Sequence, residues 1–314
     1  MKQKIQISNS EIQALKDCPR KWWLTYYREL APKQEKSVGP LALGTKIHLV
    51  LDAIYTKPKV EPLELLRELY DLDEEKLVDH PFRDDEIKKL DKEFDLAHAM
   101  VSGFIQWREE EGIDDGYEVF SVEEVLQAKI FEDEDFEVWL RGKLDQRLIR
   151  KSDGMVVFND WKTTQTFKDR WMLQMNEQMK TYHLLEYLND IQLTDGAFYT
   201  MLRKVKRTAA AKPPFYKREQ VRHNEAEIGN FLLTVISTAE RIVQLRNQLD
   251  QGIDHHLVVP PRPSRDCSWK CPFTVICPMF DDGSRVEDAL TDLFQHQDPH
   301  ERYKKEEDLE STGD

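Results

Sequence analysis

The apolar positions of this chain change their rhythm along its length. Ser8-Asn9-Ser10-Glu11 has the form of a capping box, and it opens an amphipathic stretch through Ile12, Leu15 and Cys18 that Pro19 breaks. Gly39, Pro40 and Gly44 mark a turn before a helix over 45–52. From 60 to 112 the spacing is again helical, with Leu65, Leu66, Leu69 and Tyr70 three and four apart, which predicts a helical insert over about residues 60–115. The pattern then changes. Residues 117–130 and 136–149 are rich in Val, Leu, Ile and Phe, and Lys151-Ser152-Asp153-Gly154 reads as a turn into a third strand over 155–162. A helix over 168–188, a strand over 196–205 and a long helix over 224–250 follow. This order predicts an α/β fold, a mixed central sheet flanked by helices.

Composition adjusts this picture in two places. The 314 residues carry a net charge of −14, which argues against a nucleic-acid partner unless the charge is unevenly spread. It is uneven. Residues 281–314 hold twelve acidic and four basic side chains, and the tail over 279–314 is expected to be unfolded. Between 203 and 218 stand seven cations and no acid: Arg203, Lys204, Lys206, Arg207, Lys212, Lys217 and Arg218. A basic arm of this kind can neutralise phosphates, although a solvated loop would look the same. No apolar run is long enough to span a bilayer, and MKQKIQISNS lacks the apolar stretch of a secretory signal, so a cytoplasmic, reducing setting is expected.

The four cysteines are Cys18, Cys267, Cys271 and Cys277, the last three spaced C-x3-C-x5-C among Trp269, Pro272, Phe273 and Pro278. In a reducing compartment such a group reads as a metal site rather than as disulfides, and four thiolates suit zinc or an iron–sulfur cluster. Closing the long loop from Cys18 to the triplet would constrain the unfolded chain, a structural role.

The chemistry-bearing residues lie on the predicted strands and the helices beside them. Asp145 and Asp160 sit on adjacent strands, and Asp160 shares a face with Lys162 while Trp161 points away. Two carboxylates beside an ammonium are costly unless they hold a cation or serve chemistry, and hard oxygen ligands suit Mg2+ or Mn2+. Gln178 and Tyr182 fall at i and i+4 on the following helix, and His48 lies one turn after Gly44. Alone, each has a bland reading: a strand-end ion pair, a helix-face pair, a surface histidine.

In this order, Gly44–His48, Gly142–Asp145, Asp160–Lys162 and Gln178–Tyr182 resemble the motifs of the RecB-like nucleases of the PD-(D/E)XK superfamily. The split cysteines resemble the iron–sulfur subgroup, which includes AddB-type helicase–nuclease subunits and CRISPR-adaptation exonucleases. The resemblance implies a restriction-endonuclease-like core over residues 1–278 with a 4Fe–4S staple. It implies Mg2+ or Mn2+ held by His48, Asp145 and Asp160, with a weak contribution from the Phe158 carbonyl. Lys162 would orient water or meet phosphate charge, and Gln178 and Tyr182 would position the lysine and the backbone of the substrate. The implied activity is a DNA exonuclease on single strands or duplex ends in recombination, repair or phage DNA processing. The alternative is a catalytically silent DNA-binding subunit of a helicase–nuclease assembly. The sequence has no G-x-x-x-x-G-K-[ST], so any helicase or recombination partner would be a separate chain. Asp160 departs from the Glu found in many relatives.

Overall fold

The computed structural model describes residues 2–303 apart from 35, 58, 79, 81 and 190–193. The chain opens with β1 (Gln3–Ser8), α1 (Asn9–Asp17), α2 (Pro19–Trp22), a π-helical turn (Trp23–Tyr27) and β2 (Leu30–Pro32). Three helices follow, α3 (Pro40–Thr56), α4 (Pro62–Glu75) and α5 (Arg83–Glu111). The sheet strands β3 (Tyr117–Glu132), β4 (Phe136–Arg150) and β5 (Val156–Thr164) come next, then α6 (Arg170–Gln174) and α7 (Glu177–Leu188). After β6 (Thr194–Arg203) and β7 (Tyr216–Val221) come α8 (Glu225–Asp250), α9 (His255–Val258) and α10 (Cys267–Lys270). The last elements are α11 (Val286–Leu293), β8 (Phe294–His296) and a 3-10 turn (Glu301–Tyr303).

The six-stranded sheet is mixed, as the element order predicts: β1 runs parallel to β4 and β5 parallel to β6, while β3–β4, β4–β5 and β6–β7 are antiparallel. One face packs α1, α7 and α8 through Ile12, Leu144, Phe158, Leu184 and Val235. The other packs α3, α4 and α5 through Ile47, Tyr70, Phe104 and Trp161. The expected insert is therefore α4 and α5, fused to the sheet by a shared core rather than standing apart. Two strands of this sheet went unread in the sequence, as did the short β2 and β8. β1 carries its buried Ile5 and Ile7 among polar residues, and β7 begins at the end of the basic arm, with only Tyr216 and Val221 buried.

The expected helix over 168–188 is two helices. Asn176 leaves the helical path at φ −67°, ψ 123° and its side chain accepts from the Gln178 amide, capping α7. The capping box at Ser8 is half formed. Ser8 accepts from the Glu11 amide at 3.2 Å, but the fully buried Glu11 carboxylate turns inward to Trp22 Nε1 at 3.0 Å.

The tail is a correction. Residues 281–303 are folded: α11 leads into β8, which pairs antiparallel with β2, and Arg20 forms a two-pronged ion pair with Asp281 at 2.7 and 2.9 Å. His300 reaches the buried Glu11 at 3.2 Å. Apolar Leu290 and Phe294 are buried at spacing i and i+4, a signal that the acidic composition masked. Residues 304–314 of the expected tail lie outside the described residues. Among the described residues no helix is long and apolar enough to cross a membrane.

Candidate active site

β4 is the strand on which the site is built. β3 runs along one edge for its whole length, while the other edge is divided between two partners. β1 pairs as far as Arg141, and β5 begins only at Gln146. Residues 142–145 thus have no strand partner on that edge, and the sheet opens into a fork. Freed backbone groups need partners, and side chains supply them: Tyr182 donates to the Lys143 carbonyl at 2.7 Å, and the Trp161 amide donates to Asp145 Oδ2 at 3.0 Å. Gly142 is required where α7 crosses, since a Cβ there would lie 2.7 Å from Leu185 Cδ1 and 3.2 Å from the Tyr182 ring.

The fork lets groups from opposite faces meet. From α3, His48 brings Nδ1 to 3.5 Å from Asp145 Oδ2. From α7, Gln178 spans two groups of β5, donating to Asp160 Oδ1 at 3.0 Å and accepting from Lys162 Nζ at 3.0 Å. Lys162 Nζ lies 2.7 Å from Asp160 Oδ2, and Gln178 also donates to the Tyr182 hydroxyl at 2.7 Å. As the strand alternation predicts, Asp160 and Lys162 face α7, and Trp161 points into the α3 side, stacked on Tyr55 at 5.7 Å.

Electrostatics separate the roles. Burial, and after it the charge of Asp160, holds the Asp145 carboxyl well above the usual carboxylate range. Burial pushes the His48 imidazole down, which leaves it neutral with a lone pair to donate. Burial opposes the charge of Lys162, but Asp160 and Asp145 outweigh it and raise the ammonium. Burial, then Asp160 and Asp145, push the Tyr182 phenol well up, so it remains a hydroxyl donor. Neutral imidazole and adjoining carboxylates form a donor set that fits a hard divalent cation. One donor atom from each of His48, Asp145 and Asp160 does not fall within a common 4.8 Å, and Gln178 and Lys162 bond Asp160 on the α7 side. Phe158 lies between Arg147 and Ala197 in the paired part of the sheet.

Two acidic side chains beside the site were missed in the sequence. Asp52 lies one turn beyond His48 on α3, and burial followed by Glu123 pushes its carboxyl up to about 7. Glu123 takes φ 56°, a left-handed conformation unusual for its residue type, and pairs with Lys143. The i, i+4 spacing from His48 to Asp52 was the available signal.

The basic arm is mostly spent on the protein itself. Arg218 is a correction to its reading as a substrate group: its guanidinium pairs with Asp114 at 2.9 Å and bonds Thr200 at 2.8 Å, with its side chain 9% exposed. Arg203 bonds the Lys212 and Pro214 carbonyls, Arg207 bonds Tyr216 and stacks on Phe215, and Lys217 pairs with Glu219. Lys204, whose amide bonds the Thr164 carbonyl, is half-buried and its ammonium is pushed down by burial. Lys206 and Lys212 remain exposed.

The four cysteines are free thiols. Backbone amides of Arg262 and Ser264 each approach a sulfur, Cys18 and Cys267 respectively, at 3.3 Å. Burial pushes the Cys271 and Cys277 thiols up, and the nearby Cys18 adds to both shifts. No three of the four sulfurs lie within 4.8 Å of one another.

A family model described as the PD-(D/E)XK nuclease superfamily matches residues 6–278. The chain finds no match among curated proteins. A solved structure titled "Crystal structure of SSO0001" is similar over 89% of this chain and 88% of its own, at 14% identity and a TM-score of 0.34.

Proposed function

The chain belongs to the PD-(D/E)XK nuclease superfamily, and on that premise we propose that the fork between β4 and β5 is the hydrolytic centre of a metal-dependent DNA exonuclease acting on single strands or duplex ends. The observation that carries this reading is the hydrogen-bonded run Asp160–Lys162–Gln178–Tyr182, converging on the same strand opening as Asp145 and His48. His48, Asp145 and Asp160 would hold Mg2+ or Mn2+. Such an ion, when bound, polarises the scissile phosphate and makes hydroxide available near neutral pH. The protein's own groups do the rest. Lys162, kept charged by the two carboxylates, orients the attacking water and meets negative charge as it grows on the phosphate oxygens. Gln178 fixes the lysine, and Tyr182 ties α7 to the open edge of β4. Lys206 and Lys212 are the arm cations left for the DNA backbone. The complete set of site residues speaks against a silent subunit.

The four cysteines would hold a 4Fe–4S cluster. The amide donors to Cys18 and Cys267 suit cluster sulfurs, whose hydrogen bonds tune such centres.

The test is digestion of end-labelled DNA by protein purified without air. We expect Mg2+- or Mn2+-dependent release of nucleotides, reduced by a factor of about 10²–10³ or more in Asp160→Ala and Lys162→Ala. Undiminished rates in both variants overturn the assignment.

A further inference from the structure

α6 is the five-residue helix between the strand that carries Asp160 and Lys162 and the helix that carries Gln178. Its inner side is tied down. Leu173 is buried and its carbonyl accepts from Tyr199, while Gln174 bonds through its carbonyl to His223 at 2.8 Å and through its side chain to the Arg222 carbonyl. Its outer side holds three large apolar side chains in water: Trp171 is 63% exposed, Met172 45% and Met175 66%. Because the inner anchors prevent the helix from turning over, these groups cannot retreat into the core.

The patch leads to the site. Met175 and Asn176 join Asn9, Gln13, Glu177 and Gln178 in lining a cleft of about 420 Å³. Gln178 is the residue that holds Lys162 and Asp160. The acid in this cleft is already neutralised, since Glu177 pairs with Lys16 at 2.6 Å and accepts from Gln13. Around the patch stand Lys168 and Arg170, both exposed. Among the described residues neither forms an ion pair. An aromatic face flanked by unpaired cations, beside a phosphodiester-cleaving site, matches the chemistry of unpaired nucleotides: bases stack on the ring while phosphates follow the charges. A duplex offers the charges but keeps its base faces stacked on one another.

We propose that Trp171, supported by Met172 and Met175, is a stacking platform for the bases of single-stranded DNA, whose backbone runs past Lys168 and Arg170 toward the Lys162–Gln178 pair. The proposal rests on the nuclease reading for its substrate and names the strand form that this site prefers.

The test is anisotropy of a labelled oligonucleotide, single-stranded or annealed to its complement, titrated with the full chain in chelator so that no cleavage intervenes. Trp171→Ala weakens single-strand binding roughly tenfold and duplex binding less than about twofold, while Trp171→Phe binds nearly as the parent does. The slope of log affinity against log salt stays the same in Trp171→Ala and falls by about one in Arg170→Gln. Equal losses on both DNA forms, or undiminished single-strand binding in Trp171→Ala, overturn the platform. Intact DNA binding with a change in oligomeric mass by light scattering would identify the patch as a protein contact instead. Cleavage is assayed separately with Mn2+. A parent that cleaves, with Trp171→Ala binding unchanged, removes the platform and leaves the nuclease reading. A parent that cleaves nothing, yet discriminates strands through Trp171, does the reverse.

Discussion

The fork and the cysteine end both join segments far apart in the chain, but they handle polar groups in opposite ways. At the fork, a strand edge is left open, Asp145 is held above its ordinary range by burial and a neighbouring carboxylate, and Glu123 adopts a left-handed backbone. These features cost stability and are tolerated because the surrounding layers hold them. At the cysteine end, charges are matched: Arg20 meets Asp281, Arg28 meets Glu287, and β2 pairs with β8. One region stores unfavourable interactions where chemistry is expected; the other spends favourable ones on fastening the two ends of the chain. Stability and function are therefore separable by mutation here.

The largest expected effect tests the fastening. Cys271→Ser should remove iron and visible absorption from protein purified without air. It should also destabilise the fold by about 3 kcal/mol, the scale of a lost cross-link over a long loop. Iron analysis and thermal melts check this, and an unchanged melt would leave the cysteines without a structural role.

A smaller effect comes from the α7 side of the sheet. His183 is buried between Phe158 and His223, and burial, followed by the His223 charge, pushes its imidazole down to about 3. The unfolded chain accepts a proton near pH 6.5 that the fold refuses. The stability is thus fully present above pH 6.5 and is lost progressively as pH falls toward 3, by about 2 kcal/mol at pH 5. Denaturant titrations at stepped pH should show this loss, and His183→Gln should flatten it.

The smallest effect sharpens the contrast most. Asp145→Asn keeps an acceptor for the Trp161 amide and removes the carboxylate that burial and Asp160 disfavour. The metal-free protein should gain about 1 kcal/mol in stability while DNA cleavage is lost. A variant that is both less stable and inactive would mean the fork is not strained.

The sequence showed the order of the site but not its shape. Asp160, Lys162 and Trp161 follow simple strand alternation, and Gln178 and Tyr182 follow helical spacing, so their mutual placement was legible. Asp145 is different. Leu144 joins the α7-side core, yet Gln146, two residues on, bonds Asn159 in the network that runs through Thr200 to Arg218. Alternation breaks between them, and a two-residue period cannot reveal where. β7 was hidden for another reason: its intermediate positions are polar, and the partner of Arg218, Asp114, lies about a hundred residues away in sequence. The same long-range pairing made Arg218 look like a free cation. The folded tail was obscured because acidic residues dominate composition, while burial of Leu290 and Phe294 depends on β2.

The divided edge of β4 has a consequence for how this chain can vary. β1 releases the strand at Arg141 and β5 takes it up at Gln146, so the four residues between act as a ruler set between two fixed docking points. One residue more or fewer would turn every following side chain of β4 over, moving Asp145 away from His48 and Arg147 away from Glu186 together. Between Gly142 and Asp145, both fixed by what they touch, this short span does not tolerate a change of count.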